Sequence, residues 1–121
     1  MNTPEEIRER MYASLEALDL LILPQGDEVV GMYAKRRANR DYLKKHEGVV
    51  LAEEMKKYTG SNPTKEMEAK ASRTYKDFER QMSTANGLAL QAEAEKDLLE
   101  LNVGVLRTEL SFEKEQINNT I

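Results

Sequence analysis

One histidine and no cysteine set narrow limits on the chemistry open to this chain. His46 lies in Lys44-Lys45-His46-Glu47-Gly48. A His-Glu-x-x-His helix would put two imidazoles on one face with a general base between them, but position 50 is Val50. No Glu-x-x-His occurs, so a bundle di-iron site of that design is absent too. Without Cys, disulfides, thiolate nucleophiles and thiolate-bound zinc fall away, a composition that fits a reducing compartment. Acid clusters at Glu5-Glu6-Glu9, Glu53-Glu54 and Glu93-Glu95-Asp97-Glu100 could hold magnesium only if several helices aimed carboxylates inward. Their spacing instead places Glu93, Glu95 and Asp97 beside an apolar seam, on a solvated face. There is no glycine-rich phosphate loop. The expectation is no enzyme, no metal and no cofactor.

The sharpest positive feature is basic. At about 100° per residue on a helix, Arg36, Arg37, Arg40 and Lys44 fall within a sector of about 100°, making a continuous stripe. Such a stripe could grip nucleic-acid phosphates or an acidic protein surface. It could equally answer acidic helices of the same molecule or of a second copy. Charge along the chain favours the latter reading. Residues 1–31 carry seven acids and two bases, 32–60 eight bases and four acids, 61–90 five bases and four acids, and 91–121 three bases and seven acids. A basic block therefore lies between acidic ends, within a net charge of −4. Tyr33 and Tyr42 are the only aromatics nearby, too few to stack on single strands.

These residues need long helices to position them. With 40% hydrophobic and 33% charged residues, three Pro and no Trp, the 121-residue chain suits one helical domain with narrow apolar seams. Thr3-Pro4-Glu5-Glu6 places an N-cap, a first-turn proline and a glutamate three residues after the cap. Ile7, Met11, Leu15, Leu18 and Ile22 then follow at helical spacing, predicting a helix over about 4–22 that Pro24 and Gly26 stop. A second helix is expected over about 27–58, on Val29, Val30, Tyr33, Leu43, Val49, Val50, Met55 and Tyr58. Thr59-Gly60-Ser61-Asn62-Pro63-Thr64 breaks it. No stretch is apolar for the roughly 18 residues a membrane span needs.

The third helix is the dominant one, expected over about 64–118. Met67, Ala71, Tyr75, Phe78, Met82, Ala85, Ala89, Ala92, Lys96, Leu99, Val103, Leu106, Leu110, Glu113 and Ile117 recur after the first step at alternating spacings of four and three. A 3.5-residue repeat of this length predicts lengthwise packing in a left-handed supercoil. The fold expected is therefore all-α: a long antiparallel, coiled-coil-like hairpin with an additional N-terminal helix. At about 1.5 Å per residue, the second helix would cover the third only to about Glu95. The seam Leu99, Val103, Leu106, Leu110 and Ile117 is left for the first helix, a second copy or a partner, and a homo-oligomer is expected.

The C-terminal residues Leu106, Arg107, Thr108, Ser111 and Lys114 match a Leu-Arg-(Ser/Thr)-x-x-Ser-x-x-Lys-x-Glu pattern, with Glu115 one residue short of its final position. In this the chain's last fifth resembles the endings of small helical proteins of tailed bacteriophages and prophages. The resemblance implies a phage accessory protein of a recombination or replication module, and transfers no functional residue. The expected function is a non-enzymatic interaction protein in the cytoplasm of a host cell, binding a protein as an inhibitor of a host system or as such an accessory. The alternative is a nucleic-acid-binding accessory using Arg36, Arg37, Arg40 and Lys44.

Overall fold

The computed structural model describes the backbone of residues 3–120 and the side chains of residues 3–116. Four helices, and no strand among the described residues, make the chain all-α: α1 (Pro4–Ile22), α2 (Met32–Met55), α3 (Asn62–Ala71) and α4 (Arg73–Thr120). No helix among the described residues is long and apolar enough to cross a membrane.

The N-terminus of α1 is capped by Thr3, whose hydroxyl accepts from the Glu6 amide at 3.2 Å. At its other end the Gln25 side-chain amide donates to the Leu23 carbonyl at 3.1 Å, satisfying an acceptor that the helix leaves open. Residues 24–31 then form no helix. The second helix begins at Met32, five residues later than the expected Asp27. Gly26 turns the chain at φ +58°, and β-branched Val29 and Val30 face solvent and contribute nothing to the apolar face expected of them. Gly31 is packed so closely on the Ile22 carbonyl that a Cβ there would overlap it. After Met55, hydrogen bonds from the Lys57 amide to Glu54 O and from the Tyr58 amide to Met55 O tighten the chain as far as Tyr58.

The long third helix is divided. Ser61 caps α3, accepting from the Thr64 amide, and α3 ends after one buried residue, Ala69. Ser72 has an extended backbone (φ −67°, ψ 152°) and serves both sides of the break. Its hydroxyl donates to the Ala69 carbonyl at 2.6 Å and accepts from the Tyr75 amide at 3.2 Å. The first two seam positions, Met67 and Ala71, are consequently exposed. From Tyr75 onward the seam is real: every position from Tyr75 to Glu113 is buried or half-buried, and Asp77 is the one other such residue in 73–116.

By contact the chain divides into two compact units. The first joins Met1–Ala34 to Gln91–Ile121, and the second is Lys35–Leu90. In the first unit, α1 lies along the C-terminal part of α4. Arg10 and Ser14 share a cleft with Asn102, Leu106 and Glu109, and Ala17 and Leu21 share one with Glu95 and Leu99. Ile7, Leu21, Val103 and Leu106 are buried there. Among the less exposed residues of α1, Ile7, Met11, Ser14, Leu18 and Leu21 follow spacings of four and three, the same repeat as α4, with Leu15 and Ala17 beside them. In the second unit Tyr75, Ala85 and Ala89 are buried on α4 and Glu54 on α2.

Candidate functional site

Each candidate residue has a definite place, and the basic stripe is the first to change character. Arg36 and Arg40 are half-buried, whereas Arg37 and Lys44 are exposed. Along α2 the less exposed residues are Tyr33, Arg36, Arg40, Leu43, His46, Val50, Leu51, Glu54 and Met55, while Glu47 beside them is exposed. The inward face of α2 thus mixes polar with apolar residues. Arg40 Nε also donates to Asp41 Oδ1 at 3.1 Å. Arg40 and Lys44 line one cleft with Glu47, Glu79, Met82, Ser83 and Asn86, so two carboxylates accompany the two cations.

Past the middle of α2 the exposed Glu47 accepts from the Tyr75 hydroxyl at 3.1 Å. Burial, then the hydrogen bond to Glu47, pushes the Tyr75 phenol above its ordinary range. Glu54, 4% exposed, accepts from Lys57 Nζ at 2.6 Å. That hydrogen bond above all, helped by the Ser72 and Thr74 hydroxyls and by the charge of Lys57, holds the Glu54 carboxyl below its ordinary value against the cost of burial. The sequence reading missed Glu54 as a buried residue of this face and Glu47 as the partner of Tyr75. The signal for Glu54 was its three-and-four spacing, which a search for apolar residues alone passes over.

His46 has a structural setting. Its ring stacks on Tyr42 with centroids 4.0 Å apart, and Nδ1 lies 3.0 Å from the Tyr42 carbonyl, which can only accept, so this nitrogen carries a proton. Among the described residues, no three His, Asp or Glu side chains gather where they could hold a metal ion. The acidic cluster near residue 95 includes Glu100, which is engaged with Lys96 at 2.9 Å. Lys96, a polar member of the seam, places its ammonium 5.4 Å from the centroid of the Tyr33 ring. The Glu100 hydrogen bond raises its pKa against desolvation.

The hydrophobic candidates divide cleanly. Val103 and Leu106 are buried and Leu99 and Leu110 half-buried, while the Ile117 side chain lies outside the described residues. Beside the described part of this seam lies α1 of the same chain, so Leu99 and Leu106 are not a bare surface. The opposite face of α4 is exposed, although Leu98 and Val105 also border the clefts shared with α1. Leu98, Leu101, Val105 and Phe112 are all more than half exposed, and Thr108 continues their spacing of three, four, three and four. Glu100, Leu101, Gly104, Val105, Thr108 and Phe112 line a shallow groove there. This second apolar repeat was legible in the sequence but was overlooked, because the longer seam accounted for the periodicity. Comparisons with protein-family models, curated proteins and solved structures return no match.

Proposed function

We propose that this chain is a non-enzymatic helical interaction protein that binds a protein partner. We place it among the accessory proteins of tailed phages or prophages, acting in the host cytoplasm as an inhibitor of a host system or as a recombination or replication accessory. The carrying observation is the exposed apolar row Leu98, Leu101, Val105 and Phe112 on α4, on the side away from the buried seam. A helix buried along one face that also carries a row of exposed apolar residues along another offers a surface suited to a partner. A coiled-coil-like antiparallel hairpin of α2 and α4 is part of the reading. It is supported by Glu47 meeting Tyr75 while Arg40 and Lys44 share a cleft with Glu79, Met82 and Asn86, further along α4.

The nucleic-acid alternative has the charge of the second unit in its favour: thirteen bases against eight acids, net +5. Against it, half of the stripe, Arg36 and Arg40, is turned inward. The homo-oligomer reading loses its original ground, since α1 occupies the described seam, and copies would have to meet elsewhere.

Crosslinking in the native cell, followed by capture of the tagged chain, tests the proposal. A single protein recovered in near-equal amount supports it. Recovery of nucleic acid alone, released in salt and lost in the Arg37→Glu and Lys44→Glu variants, would replace it with the alternative.

A further inference from the structure

The first unit carries fourteen acids against five bases, net −9, and the exposed apolar row lies within it. At about 100° per residue, Leu98, Leu101, Val105, Thr108 and Phe112 fall within about 80° of arc. On α4 itself Asp97 and Glu115 border the row on one side and Glu109 on the other, all three exposed. The three cations of this stretch, Lys96, Arg107 and Lys114, fall on the far side of the helix by the same projection. The row is therefore an apolar strip with an anionic rim. Arg10 of α1 borders the neighbouring cleft beside Glu109.

Resting on the reading that the protein acts by binding another protein, we propose that this strip of α4 docks a cationic amphipathic helix of the partner. Such a helix would set apolar residues at three-and-four spacing into the groove around Gly104 and Val105, and Lys or Arg on its flanks against Asp97, Glu109 and Glu115. The row from Leu98 to Phe112 spans about 21 Å, the length of a helix of about 15 residues. A second copy fits poorly. A two-fold contact through the same strip would bring its acidic rim against another acidic rim, as like charges at flanking positions do when they veto a coiled-coil pairing. The basic second unit does not offer a matching row either: of its large exposed apolar residues, Tyr42 and Val49 lie seven residues apart on α2, Met67 stands alone on α3, and Leu88 and Leu90 are two apart on α4, off the three-and-four spacing.

The test uses the full chain and a fluorescent Leu/Lys peptide of about 18 residues with its leucines at heptad spacing. Its controls are a scrambled peptide of the same composition and a Leu/Glu version. The expected result is saturable binding of the heptad Leu/Lys peptide alone, weakened at least about tenfold by Val105→Asp. That substitution adds negative charge, so attraction by charge alone would strengthen rather than weaken. Glu109→Lys should weaken binding as well. Equal binding of the scrambled peptide, an unchanged affinity in Val105→Asp, or no binding would overturn the inference. So would self-association in sedimentation that Val105→Asp abolishes. A native partner still crosslinked by the Val105→Asp variant would sink this docking site while leaving the protein-binding function standing.

Discussion

The hydroxyl of Tyr75, a residue only 2% exposed, donates to Glu47 at 3.1 Å and so joins the start of α4 to α2. The neutral phenol is what this site stabilises, since burial and the nearby carboxylate both disfavour the phenolate. Folded Tyr75 thus titrates above its ordinary value of 10.0. Its contribution is complete below the unfolded value and is lost as pH rises through the folded one. Tyr75→Phe should cost about 1 kcal/mol near neutrality, the worth of one partly exposed hydrogen bond. Above about pH 10 the variant should close the gap with the parent, because it has no phenol to ionise. Urea unfolding followed by circular dichroism across this range is the measurement. A parent whose stability is flat from pH 9 to 11, in about that window, would contradict the assignment.

The opposite sign applies at Glu54. Its folded pKa is depressed chiefly by the Lys57 hydrogen bond, so the stabilisation is full above the ordinary value of 4.5 and disappears as pH falls through the depressed one. Glu54→Gln should flatten the acid limb of the stability curve and leave its alkaline limb in place. The urea midpoint against pH between about 3 and 6 reads this directly. Nearby, Ser72→Ala removes the hydroxyl that caps α4 at the Tyr75 amide and should cost about 1 kcal/mol, without fusing α3 to α4. A stabilised Ser72→Ala protein of higher helix content would show that the break is not held by this side chain.

Ser72 and Glu54 also show what the sequence does and does not disclose. The seam from Tyr75 to Glu113 was legible because its repeat runs unbroken through twelve positions, longer than the exposed row on the same helix. Ser72 was not, since Ala71-Ser72-Arg73-Thr74 contains neither Pro nor Gly, and no Glu or Gln stands three residues after the serine to complete a capping box. The inward face of α2 was hidden for a different reason. Arg36, Arg40, His46 and Glu54 lie on it, and polar residues carry no hydrophobic signal until their partners are placed. Val29 and Val30 misled in the reverse sense, as apolar residues of a loop that leaves them exposed. The exposed row on α4 was readable, yet nothing in the sequence alone says which of two apolar faces is covered.

Glycines 31 and 48 should respond to the same substitution with opposite signs. A methyl group at Gly31 would run into the Ile22 carbonyl, which belongs to backbone and cannot swing aside, so Gly31→Ala should destabilise by about 1–3 kcal/mol. Gly48 lies inside α2 with open space around the position of its missing Cβ. There Gly48→Ala removes a helix penalty and should stabilise by about 0.5–1 kcal/mol. Thermal unfolding of the two single variants gives the comparison. Equal shifts of the same sign would mean that the approach of residue 31 to α1 does not persist in solution.

The second unit depends on small residues where α4 is most deeply covered. Ala85 and Ala89 are 3% and 1% exposed, one helical turn apart, with Met82 half-buried before them. An alanine seam brings backbones close and leaves no volume for a longer side chain. Ala89→Leu should therefore destabilise by about 1–3 kcal/mol despite raising both hydrophobicity and helix propensity. Leu101→Ala, on the exposed row of the same helix, should change stability by less than about 0.5 kcal/mol, because little is buried there to lose. Unfolding midpoints of the two variants separate a packed face from an open one. If Leu101→Ala were the costlier change, Leu101 would be covered in solution, and the strip would not be available to a partner.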